Sequence, residues 1–77
     1  MPTLADLRPG QSATVVSLAG DPALVQRLYE LGLFEGEPVE VLAFAPLGDP
    51  VEVRVGNSRL SLRKAEAANV TVTDRPA

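Results

Sequence analysis

The stretch from Gly20 to Gly36, GDPALVQRLYELGLFEG, constrains the fold more than any other. It alone has helical periodicity, and it carries both a start and a stop. Asp21 is a suitable N-cap, because its carboxylate accepts from the free amides of a first helical turn. Pro22 falls at N1, where a missing amide hydrogen costs little. Leu24, Leu28 and Leu31 follow at i, i+4 and i+7 and share one face. Gly32 comes just past the last of them, where a left-handed residue ends a helix with least strain if it is glycine. Leu33, one further on, is placed to close over Leu28, the apolar contact of a Schellman ending. The spacing predicts about ten residues of helix and a sharp exit.

The rest of the chain reads as short strands. Residues 1–10 form a lead-in with Leu4 and Leu7 one turn apart and Pro9-Gly10 as turn punctuation. A first strand is expected over 12–18, where Val15, Val16 and Leu18 suit a sheet. A second is expected from Pro38 to Ala45, with Val39, Val41 and Ala43 on one face and Glu40, Leu42 and Phe44 on the other. Pro46 to Pro50 has the composition of a turn. Val51, Val53 and Val55 alternate with Glu52 and Arg54, the cleanest half-buried pattern in the chain. Gly56-Asn57 is a two-residue hairpin loop, which pairs Val55 with Ser58, Val53 with Leu60 and Val51 with Leu62. This register matches valine with leucine on one face. Lys64 to Asn69 reads as a helical turn with Asn69 as a left-handed exit, Val70 to Thr73 as a last strand, and Asp74 to Ala77 as a polar tail.

Five short strands and one short α-helix in 77 residues point to a single domain, mainly β, built as a small antiparallel barrel of the SH3-like kind. An OB-like barrel is the alternative, but it usually needs more chain. No cysteine is present to staple so small a core. No signal peptide is legible, and no apolar run approaches the roughly 20 residues of a membrane span. A soluble, intracellular chain without membrane insertion is expected.

Composition also narrows the chemistry. With no histidine and no cysteine, the chain lacks the usual general base and the usual nucleophile. Its glycines fit no phosphate-loop spacing. Net charge −3, one tyrosine, two phenylalanines and no tryptophan argue against nucleic acid, including the reading as an RNA-binding barrel. Only carboxylates are left for a cation. Glu35, Glu37 and Glu40 would have to crowd together to hold one, against the plainer reading of three solvated side chains.

Arg54, Arg59 and Arg63 are all expected to point outward on the Val51–Arg63 hairpin, with Arg54 opposite Arg59. They form either a docking face for an acidic partner or a solvated sheet face. Arg27 borders the buried helix face, where it either covers the core with its stem or meets a partner. Leu33 and Phe34 are either core or an exposed apolar tip at the helix exit.

Taken together, these residues resemble a known family. Arg27 to Gly36, RLYELGLFEG, is similar to the RLxELGLxxG core of the ferrous iron transport protein A (FeoA) family. Pro46 to Pro50, PLGDP, is similar to that family's turn, and Leu60 to Ala67 to its LxLRxxEA ending. The Leu7 to Gln11 opening also fits, so the resemblance covers nearly the whole chain in order. Glu35 departs from the pattern, standing where the family often has proline. The resemblance implies an SH3-like barrel and a small cytoplasmic accessory of the ferrous iron permease FeoB, touching that membrane GTPase on its cytosolic side. A related domain ends iron-dependent repressors, but no DNA-binding module precedes it here, and the chain reads as a stand-alone domain.

The expectation is a non-catalytic interaction module of iron homeostasis, carrying neither cofactor nor metal. Arg27, Leu33 and Phe34 are the first candidates for partner contact, and Arg54, Arg59 and Arg63 the second. Gly32 and Gly36 serve backbone geometry. Open sheet edges invite weak self-association. The rival is a metal-responsive regulatory domain that binds a divalent cation through carboxylates.

Overall fold

The computed structural model describes residues 1–73, so the expected polar tail from Asp74 to Ala77 lies outside the described residues. The elements are β1 (Ser12–Leu18), α1 (Pro22–Glu30), β2 (Pro38–Phe44), β3 (Val51–Val55), β4 (Ser58–Leu62), α2 (Lys64–Ala67) and β5 (Val70–Val72). A 3-10 turn, Leu4–Asp6, precedes them.

Helix α1 starts and stops as its sequence dictates. Asp21 caps it, and its Oδ1 accepts from the Leu24 amide at 2.9 Å. Leu31 is the C-cap, and Gly32 follows with φ 95°. The Gly32 amide donates to the Tyr29 carbonyl at 2.9 Å and the Leu33 amide to the Leu28 carbonyl at 3.0 Å. Those two bonds are the pair that define a Schellman ending. Leu28 and Leu33 are fully buried, and Leu24 and Leu31 pack against the same cluster. Each fully buried leucine contributes about 1.5–3 kcal/mol, so one cluster anchors both the helix and its exit.

The five strands form one antiparallel sheet in the order β4-β3-β2-β1-β5. The β3–β4 hairpin has the expected register, Val51 with Leu62, Val53 with Leu60 and Val55 with Ser58. Strand β1 is shared: Ser12 to Thr14 pair with β2, and Val15 to Leu18 pair with β5. Its register shifts between Val15 and Ser17, and the β2–β3 register shifts between Val41 and Ala43. Such irregularities bend a strand and raise its twist, which lets one sheet wrap a core of Val15, Val39, Val41, Val53, Val70 and Val72. Gly36, with φ 89°, donates its amide to the Val15 carbonyl at 2.8 Å and ties the loop after α1 to β1.

Three expectations need correction. The barrel does not close: β4 and β5 are the two edges of the sheet, with α2 between them in the chain. The place beside β5 is taken by the chain start, where Thr3 bridges Thr71 and the Pro2 carbonyl accepts from the Val72 amide. Ala43 does not share the buried face of Val39 and Val41. It is exposed, because the shift after Val41 puts it opposite Glu52 and moves Phe44 opposite buried Val51. Asn69 is not a left-handed exit, since every positive φ among the described residues belongs to glycine. Its side-chain amide donates instead to the Ala65 carbonyl at 3.0 Å.

Candidate functional site

The sharp turn after α1 separates the two apolar residues of the exit. Leu33 is drawn inward by its amide bond to Leu28 and has no exposed surface. It therefore presents nothing to a partner, which corrects its expected role in contact. Phe34 goes the other way and is 50% exposed. Its ring stacks on Tyr29, with centroids 5.6 Å apart. The Tyr29 hydroxyl donates to Glu35, whose two oxygens lie 2.9 and 3.1 Å away. That hydrogen bond first, then burial, then the negative charge of Glu35, raises the Tyr29 pKa above its ordinary 10.0. The exit is thus a small ordered platform of one exposed ring backed by a tyrosine and rimmed by a carboxylate.

Arg27 is one turn before this platform and pairs with Glu66 of α2. Its side chain is 54% exposed while that of Glu66 is 12% exposed, so the arginine head bridges two elements at the surface. Glu66 has a second task, accepting from the Arg63 amide at 2.9 Å. Asp49, from the loop between β2 and β3, accepts from the Lys64 amide at 3.0 Å. Two carboxylates thereby satisfy the free amides at the start of α2, as helix termini require.

The outward face of the hairpin carries the expected arginines. Arg54 is paired with Arg59 across β3 and β4. In this register it is a non-hydrogen-bonded pair, in which opposed side chains are closest. Carboxylates on both sides relieve the repulsion. Glu40 of β2 takes Arg54 at 3.1 Å, and Glu52 of β3 takes Arg59 at 2.6 Å. Arg63 is the N-cap residue of α2, past the end of β4, and is exposed. The three arginines therefore form a graded face, two neutralised and one open.

Glu35, Glu37 and Glu40 do not crowd together, since Glu35 turns back to Tyr29 and Glu40 is held by Arg54. Among the described residues no group of three or more such side chains is placed to hold a metal ion. Glu66 was not legible as the partner of Arg27, nor Asp49 as a partner of α2, because these contacts span 39 and 15 positions. Leu47 was also missed. It is 97% exposed at the tip of the β2–β3 loop, and only its place between Pro46 and Gly48 hinted at that. No helix among the described residues is long and apolar enough to cross a membrane.

A bent five-stranded antiparallel sheet, with a capped helix between its first two strands, defines a small SH3-like domain. FeoA of Stenotrophomonas maltophilia, solved with zinc and described as a prokaryotic SH3 domain protein, superposes with TM-score 0.83 at 38% identity over the whole of both chains. The FeoA domain profile matches residues 3–74, and the chain belongs to the FeoA family. FeoA of Chlorobium tepidum is 46% identical with TM-score 0.85, covering 91% of this chain and 67% of that one. A Porphyromonas gingivalis protein, a fusion of Fe(2+) transport protein A with the Fe(2+) transporter FeoB, is 35% identical over 69 residues. The match covers 90% of this chain and 8% of that one. A manganese-dependent transcriptional repressor, 20% identical with TM-score 0.85 over 92% of this chain and 35% of its own, shares the fold alone.

Proposed function

We propose that the chain is a non-catalytic interaction module of ferrous iron uptake that docks on the cytosolic side of a FeoB-type permease. The observation that carries this reading is the Porphyromonas gingivalis relative, in which transport protein A and the FeoB transporter are one polypeptide. Fusion keeps two modules at high effective concentration without a strong interface. Where the two are separate polypeptides, the smaller one must supply that proximity through its own surface. Here the Phe34–Tyr29 platform supplies exposed aromatic area, the residue type that dominates contact energies. Arg27 stands beside it, and the hairpin arginines offer a second, charged contact. A location in the cytoplasm follows from the proposed partner.

The test is capture of a detergent-solubilised FeoB-type permease by the purified chain, with and without nucleotide. Wild type is compared with Phe34→Ser, after both are shown to melt alike. Loss of capture in the variant places the contact at the helix exit. Retained capture keeps the partner and moves the contact to the arginine hairpin. Failure of wild type to capture the permease in every nucleotide state refutes the proposal.

A further inference from the structure

The sheet has two edges, and they are unlike. The outer side of β5 is occupied by the chain start at Pro2 and Thr3. The outer side of β4 is open. A two-residue loop makes Val55–Ser58 a hydrogen-bonded pair, so Leu60 and Leu62 also bond to β3. The N–H and C=O groups of Arg59 and Ser61 then point away from the sheet. No hydrogen bond to them is made among the described residues. Arg59 and Ser61 are exposed, and Leu60 is half-buried.

This edge also lies in the basic part of an acidic molecule. Residues 51–64 carry four cationic side chains and one carboxylate, whereas the rest of the chain carries three and nine. Arg63 and Lys64 have no carboxylate partner among the described residues.

We propose that the β4 edge is a docking site for an extended acidic segment of another protein, which adds a sixth strand beside Arg59 and Ser61. Main-chain bonds to those two residues supply the affinity, and alternate side chains supply the selectivity. Acidic residues of the added strand lie on the face of Arg59 and Arg63. Apolar ones lie over Leu60.

A second copy of this chain is the poorer occupant. The β5 edge is covered, so strand pairing between copies has only β4 against β4, which sets one basic strip on another. The inference rests on the edge and its charge and is independent of the permease reading.

The probe is a capped peptide of alternating glutamate and valine, EVEVE, titrated into isotopically labelled chain and followed by NMR amide shifts. A bare peptide must be ordered on binding, so millimolar saturation is expected, with the largest shifts at Arg59 and Ser61. The lysine counterpart KVKVK should give no saturable shift. Ser61→Pro removes an outward N–H that no ladder bond uses, and proline is tolerated on an edge. That variant should melt like wild type and lose the Arg59 shift. Arg59→Glu should weaken binding by about fivefold or more. The proposal falls if the acidic peptide gives no shift, if the shifts centre on Phe34, or if Ser61→Pro binds as wild type does. It falls equally if the chain alone forms a dimer through Arg59 and Ser61 at low salt.

Discussion

Substitution of Gly32 tests the central element directly. Its φ of 95° lies in the region that side chains other than glycine rarely adopt. A Cβ there would meet only Val55 Cγ1, at an ordinary 3.9 Å. The cost of Gly32→Ala is therefore almost wholly backbone strain, about 1–2 kcal/mol. Gly32→Asn should cost less, because a short polar side chain tolerates the left-handed region. Gly32→Val should cost most, up to roughly 3 kcal/mol, because a β-branched residue is strained there.

In a domain of this size 1 kcal/mol moves Tm by about 4–8 °C, so Gly32→Ala should lower it by about 4–16 °C. Thermal and urea melts followed by far-ultraviolet circular dichroism measure this, with an unchanged m-value marking a pure stability effect. Gly20→Ala is the useful comparison. There the φ is 110° and the added Cβ would stand 2.8 Å from Leu24 Cδ2, but that methyl ends a flexible, half-buried side chain that can move aside, so the loss should again be mainly backbone strain and close to that at Gly32. The reasoning is refuted if Gly32→Ala melts with wild type, or if valine is no worse than asparagine.

Further outcomes follow from the same geometry. Leu33→Ala should cost about 2–5 kcal/mol, because a fully buried leucine leaves a cavity. Phe34→Ala beside it should stay within roughly 1 kcal/mol in the same melts. Glu66→Ala removes both a bond to the start of α2 and the partner of Arg27, so it should destabilise by about 1–2 kcal/mol. Arg27→Ala leaves the mostly buried Glu66 carboxylate without its cation but keeps its bond to the Arg63 amide, so it should cost about 1 kcal/mol, less than Glu66→Ala. Tyr29 is the one tyrosine, so its tyrosinate absorbance reports a single site. Its pKa is raised on folding, so the stability this contributes is fully present below pH 10.0 and is lost as pH rises through the higher folded value. Glu35→Ala should lower that titration midpoint toward the ordinary value.

The parts of the fold legible in the sequence are those set by neighbours along the chain. Asp21, Pro22 and Gly32 act within one turn of helix, so the ends of α1 could be placed from residue type alone. The β3–β4 register followed from Gly56-Asn57 and the alternating valines, because the loop length fixes which residues face each other. What escaped depends on contacts that composition does not encode. The shift after Val41 needs no special residue, yet it exchanges the faces of Ala43 and Phe44. The open barrel depends on what lies beside β5, and that is the chain start, nearly seventy positions earlier.

The candidate site shows the same division more sharply, and for a physical reason. Whether a side chain is available to a partner depends on whether the molecule already satisfies it. Leu33 and Phe34 are adjacent and both apolar, yet the Schellman turn commits one to the core and leaves the other as a stacked, half-exposed ring. Arg54, Arg59 and Arg63 share a face by parity, yet Glu40 and Glu52 neutralise the first two and nothing described neutralises the third. Arg27, readable from sequence as core cover or as partner contact, is paired with Glu66 and still half exposed. Charge that remains after such pairing accumulates at the junction of β4 and α2, where Arg63 and Lys64 follow an unpaired backbone edge. A surface that joins open hydrogen-bonding groups to unpaired charge favours an acidic strand over a neutral or basic one. That preference arises from the arrangement as a whole, since none of these residues alone would confer it.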